Sequence, residues 1–124
     1  GVATWLNQRA QLRADQIEHR ISRLEELFAD FIVAASKVYG EALVSSEPKI
    51  EEIVALYAMI SRMRVVCRDQ TISCAERIMY ETVDAYYQPN KSVKDLHELI
   101  KSGVGIDPLK DFANAARDEL RLLR

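Results

Sequence analysis

The sequence predicts an all-α protein: a helical bundle of four main helices plus one short helix, with a long N-terminal helix. Three observations carry this. Apolar residues recur at helical spacing almost from end to end, with no strand-like alternation. Four glycines and three prolines are all that interrupt 124 residues, which leaves little material for long loops. Capping and breaking residues fall between the apolar runs, at SSEP, RDQTIS, QPN and GIDP. Hydrophobic residues make up 48% and charged residues 29%, ordinary values for a folded domain, and a chain of this length is most simply one domain.

The first helix is expected from Thr4 to Val44, about 60 Å long at 1.5 Å per residue. Ala14, Ile21, Phe28, Ala35 and Ala42 recur every seven residues, and Ile17, Leu24, Phe31 and Val38 follow three residues after each of the first four. These are the two seam positions of a heptad, aligned on one helix face. Leu27, Ile32 and Tyr39 widen the stripe in the second half, which therefore belongs in a core. Residues 1–20 read instead as a juxtamembrane or stalk part, and residues 21–124 as the bundle. Ala14, Ile17, Ile21 and Leu24 form a candidate oligomer seam, because a second copy is the nearest cover for such a stripe.

The remaining helices follow from their stripes and caps. In IEEIVALYAMISRMRVVC, Ile53, Leu56, Ile60, Met63 and Cys67 share a face that Ile50, Val54 and Tyr57 extend, with Ser46 as cap and Pro48 in the first turn. RDQTIS is read as the next turn; Ser73 with Glu76 makes a capping box, with Asp69 or Thr71 as alternative caps. The third helix, CAERIMYETVDAYY, presents Ala75, Met79, Thr82, Val83 and Tyr86, with Ile72 just ahead of it. Ser92 and Asp95 box the start of the short helix VKDLHELIK, whose face is Val93, Leu96, Leu99 and Ile100, and Gly103 closes it in a left-handed cap. The last helix takes Asp107 as cap and Pro108 at its first position. Leu109, Phe112, Ala113, Ala116, Leu120 and Leu123 then face inward, and Arg117, Arg121 and Arg124 lie near the negative end of the helix dipole.

Little in this pattern points to catalysis. Seventeen basic against nineteen acidic residues leave a net charge of −2, spread evenly along the chain, which argues against nucleic acid as a partner. Only His19 and His97 are present, and neither completes the Glu-x-x-His pair of a di-iron bundle; Asp15 and His19, one turn apart, read as a solvated pair. Cys67 falls on an apolar stripe. Cys74, in the expected first turn of the third helix, is the one thiol with a functional case, since a helix N-terminus lowers a thiol pKa. A buried structural thiol is the simpler reading of both. Arg62, Arg64 and Arg68 cluster near the end of the second helix, where an anion site competes with plain dipole compensation. HELIKSG resembles the His-x-x-Lys-Gly motif of histidine phosphotransfer domains, with Lys101 one residue late and Gly103 two residues late. His97 is on that ground a candidate phosphoacceptor. No enzyme constellation, metal site or cofactor is expected.

The opening stretch, GVATWLNQRAQLRAD, carries the clearest clue to location. It lacks an initiator Met and reads as the end of a membrane span whose upstream part has been removed. A lone Trp5 is followed by Arg9 and Arg13, the arrangement found where a transmembrane helix emerges into the cytoplasm. Trp5, Arg9 and Arg13 are therefore the candidate membrane boundary. ATWLNQR, EELFADFIVAASKVYGEAL, LYAMISRMRVV and DPLKDFANAARDELR resemble a group of bacterial proteins with one N-terminal membrane helix and a small all-helical cytoplasmic domain. The resemblance implies a topology and no activity. The expectation is a homodimeric interaction or scaffolding domain on the cytoplasmic face of the inner membrane. A cytosolic protein with a dimerisation arm, or a helical signalling domain, is the alternative.

Overall fold

The computed structural model describes residues 1–103 and 107–124. It contains five helices among the described residues and no strand: α1 (Val2–Val44), α2 (Ile50–Val66), α3 (Asp69–Tyr86), α4 (Val93–Ser102) and α5 (Leu109–Leu123). The chain is an all-α bundle with a long N-terminal helix. α1 and α3 pack on each other and both touch α2 and α5, so they form a central pair flanked by the other two. α4 stands apart from this packing.

Phe31, Phe112, Leu56, Ile60, Met63 and Ile78 are fully buried at the centre. Each such side chain contributes roughly 1.5–3 kcal/mol relative to exposure. Phe112 of α5 meets Phe28 edge-on at 5.9 Å between ring centroids and Phe31 at 4.9 Å, the offset geometry that aromatic quadrupoles favour. The heptad residues from Leu24 to Ala42 supply the α1 side of this core, because that one helix face lies against α2, α3 and α5.

Several element ends differ from the sequence expectation. α2 begins after Lys49, so Pro48 lies outside it, and Ser46 donates to Asn90 Oδ1 at 3.4 Å in place of capping. α3 starts at Asp69, five residues ahead of CAERIMYETVDAYY, leaving only Cys67 and Arg68 as a turn. Ser73 with Glu76 forms no capping box; the cap of α3 is Arg68, with no side-chain cap bond of its own. The short fourth helix has its capping box, Ser92 Oγ accepting from Asp95 N at 3.1 Å and Asp95 Oδ2 from Ser92 N at 2.9 Å. Gly103 closes it at φ 74°, a left-handed conformation open to glycine without strain. Asp107 accepts from Leu109 N at 3.0 Å at the start of α5, while Gly105 and Ile106 of GIDP lie outside the described residues.

The buried faces also shift. Ile50, Val54 and Tyr57 do not extend the inner stripe of α2 but are exposed. Val93 and Ile100 of α4 are exposed as well, while Leu96 and Leu99 of the same face are half-buried. On α5, Ala113 is exposed while Ala115 and Glu119 are buried in its place.

Candidate functional site

Every residue from Gly1 to Arg20 is exposed, and burial begins at Ile21. α1 thus leaves the bundle as a bare arm of about twenty residues, roughly 30 Å long. Its apolar stripe runs on without a change of face. Leu6, Ala10, Ala14 and Ile17 line a shallow open groove with Arg9 and Arg13, in helical register with the buried Ile21 and Leu24. The candidate seam is therefore split. Ala14 and Ile17 are open to solvent, Ile17 at 44%, whereas Ile21 and Leu24 are already covered by their own chain.

Trp5 is 55% exposed, and the Arg9 guanidinium lies over its ring at 5.2 Å from the centroid, a cation–π pair inside the arm. Arg9, Arg13, Arg20 and Arg23 follow at intervals of four, seven and three residues, which sets them along one side of α1. Where this side meets the bundle, a groove of about 550 Å³ opens between α1 and α2. Arg20, Arg23, Arg62 and His19 line it with the buried Leu24 and Leu27 and the exposed Val65 and Val66. No carboxylate lines it, and among the described residues none of these three arginines has an ion-pair partner.

The arginine cluster read from SRMRVVCR does not converge. Arg62 faces the groove. Arg64 bonds Ser61 and pairs with Glu76 of α3 at 3.5 Å. Arg68 is spent on Glu119, which sequence reasoning missed. This α5 carboxylate, 6% exposed, accepts from Arg68 N at 2.8 Å, Thr71 Oγ1 at 2.8 Å and Arg68 Nε at 3.2 Å. It caps α3 from another helix, with its charge on the positive end of the α3 dipole. The only sequence signal was an acidic residue one turn after Ala115 and Ala116 on a helix whose other inward positions are apolar.

The remaining candidates are dispersed. His97 is exposed on α4, and no hydrogen bond or ion pair joins it to Lys101 or another side chain among the described residues. Cys74 lies in the second turn of α3, because the helix starts early, and burial pushes its thiol pKa up. Cys67, at the end of α2, is raised to about 11 by burial first and by the Glu119 carboxylate second. Neither thiol is activated. No group of three or more metal-binding side chains occurs among the described residues, and Asp15 accepts from Gln11 rather than meeting His19. No helix of the described residues is long and apolar enough to cross a membrane. No family model, curated protein or solved structure matches the chain.

Proposed function

We propose that this chain is an interaction and scaffolding module held at the cytoplasmic face of a bacterial inner membrane, with the α1 arm standing between membrane and bundle and pairing with a second copy. The observation that carries this reading is the bare arm. Twenty residues of single helix without tertiary cover are marginal in water, because helix stability comes mostly from packing of an apolar face. Leu6, Ala10, Ala14 and Ile17 offer such a face and leave it empty. At the far end, Trp5 with Arg9 and Arg13 has the composition of a membrane–water boundary. Along the arm, the thin alanine-containing seam suits close helix pairing.

Two measurements test this. The native gene product, with any upstream residues, is fractionated and its membranes washed with carbonate before detergent. Release only by detergent supports the membrane placement, and recovery in the soluble fraction removes it. Sedimentation of the chain with Ile17→Asp tests the pairing separately, since a charge in the seam should dissociate arm-paired copies without touching the buried core. A signalling role through His97 gains no support from its surroundings. Labelling by a phosphodonor that disappears in His97→Ala would revive it.

A further inference from the structure

α2 is apolar on both sides. Leu56, Ile60 and Met63 are fully buried against the bundle. On the opposite side Ile50, Val54, Tyr57 and Val65 recur at intervals of four, three and eight residues, one face over four turns, and all are exposed, Val65 at 82%. Tyr80 of α3, 74% exposed, lies beside Tyr57 and widens the patch. A helix that is apolar all round belongs between two layers, and α2 has only one. Contiguous exposed apolar surface of this kind marks an interaction site.

The charges beside the stripe say what fits it. Glu51 and Arg62 flank it on the same edge, eleven residues apart, and neither has an ion-pair partner among the described residues. Eleven residues are about 16 Å along the axis, too far for the two to meet within one helix. In an antiparallel two-fold pair, however, like edges face each other. An axis passing between Tyr57 and Ala58 sets Ile50 across from Val65 of the second copy, Val54 across from Ser61, and Glu51 within reach of Arg62. All of these contacts occur twice. We propose that the outer face of α2 is a homodimer interface in which two copies pack antiparallel through Ile50, Val54, Tyr57 and Val65, with reciprocal Glu51–Arg62 pairs. This interface is separate from the arm and does not rest on the readings above; because α1 runs antiparallel to α2, it points the two arms in opposite directions and is an alternative to two copies standing side by side on one membrane. A 17-residue helix offers a face about 25 Å long, which makes the contact small for a stable dimer.

Two experiments on the full chain test it. Under mild oxidation, Ala58→Cys should form a disulfide-linked dimer, because residue 58 lies at the two-fold axis. Ile50→Cys alone should not, but should link to Val65→Cys when the two proteins are mixed. The unsubstituted chain, with half-buried Cys67 and Cys74, sets the background. In sedimentation, Glu51→Arg and Arg62→Glu should each weaken association about tenfold by opposing like charges across the axis, and the double swap should restore it. Both positions are exposed, so neither change disturbs the fold. Absence of the Ala58→Cys link, or a double swap no tighter than the singles, overturns the interface. A self-link of Ile50→Cys overturns the antiparallel arrangement. If Ile17→Asp leaves association unchanged while the Ala58→Cys link forms, the arm reading fails and this one stands.

Discussion

Replacing Glu119 by alanine is expected to lower folding stability by about 3 kcal/mol, although the residue is charged and lies near the chain end. The figure comes from its three bonds. Oε1 takes both short ones, from Arg68 N and Thr71 Oγ1, and Oε2 takes the longer one from Arg68 Nε. Thr71 is fully buried, so it loses an acceptor that water does not replace. Hydrogen bonds to a charged group contribute about 1.5–3 kcal/mol each, and the two short ones at the low end of that range give the total. The Arg68 side chain is nearly half exposed, and its contact adds little. Glu119→Gln keeps an oxygen for both short bonds and should lower stability by only about 1 kcal/mol. Urea unfolding followed by circular dichroism reads both variants; for a chain of this size the alanine variant should also melt roughly 10 °C lower. An alanine variant within about 0.5 kcal/mol of the parent would refute the reasoning, as would a glutamine variant as unstable as the alanine one.

Phe112→Ala removes a fully buried ring that packs on both Phe28 and Phe31, and should destabilise by about 3–5 kcal/mol in the same assay. The Cys67 thiol should alkylate more slowly at neutral pH in the folded chain than in the unfolded one. Because its folded pKa of about 11 lies above the unfolded value, its contribution to stability is whole below pH 9 and is lost as pH rises toward 11, which alkaline melts would show. Asp95 runs the other way: its bonds to Ser92 lower its pKa, so the α4 cap holds above the normal Asp range and fails as pH falls through the lowered value. Protection of the α4 amides, with the intrinsic exchange rate at each pH divided out, should fall in acid, and in Ser92→Ala at any pH, with little effect on the bundle, since no α4 residue belongs to its core. Trp5→Ala should leave the melting temperature unchanged within error, because the indole is exposed on the arm and takes no part in the core.

How far the sequence could be read depended on whether a signal was periodic. The α1 core face, the Ser92–Asp95 box and the Gly103 cap all rest on local spacing, and all are present. The sequence places the start of α3 five residues late because its cap comes from Glu119, forty-eight residues beyond Thr71, and nothing in RDQTIS announces a remote carboxylate. That early start also moved Cys74 out of the first turn and Arg68 into the cap position. On α2 the difficulty was of another kind. With apolar residues on both faces, periodicity does not say which face meets the core, and it points Ile50, Val54 and Tyr57 inward although they are exposed. The arginine groove was hidden for a third reason, since Arg20, Arg23 and Arg62 come from two helices and meet only in space.

α1 has a mechanical consequence. From Val2 to Tyr39 it contains neither glycine nor proline, so no hinge separates the arm from the segment threaded through the core. Whatever grips the tip of the arm is joined by one continuous rod to Phe28, Phe31 and Ala35, which lie against the other helices. A roll of the tip by one residue's turn, about 100°, would carry the whole apolar stripe away from α3. Once its stripe is covered, the rod works as a ruler, holding the bundle a fixed distance of about 30 Å from the tip, and as a torsion bar that the close-packed core resists.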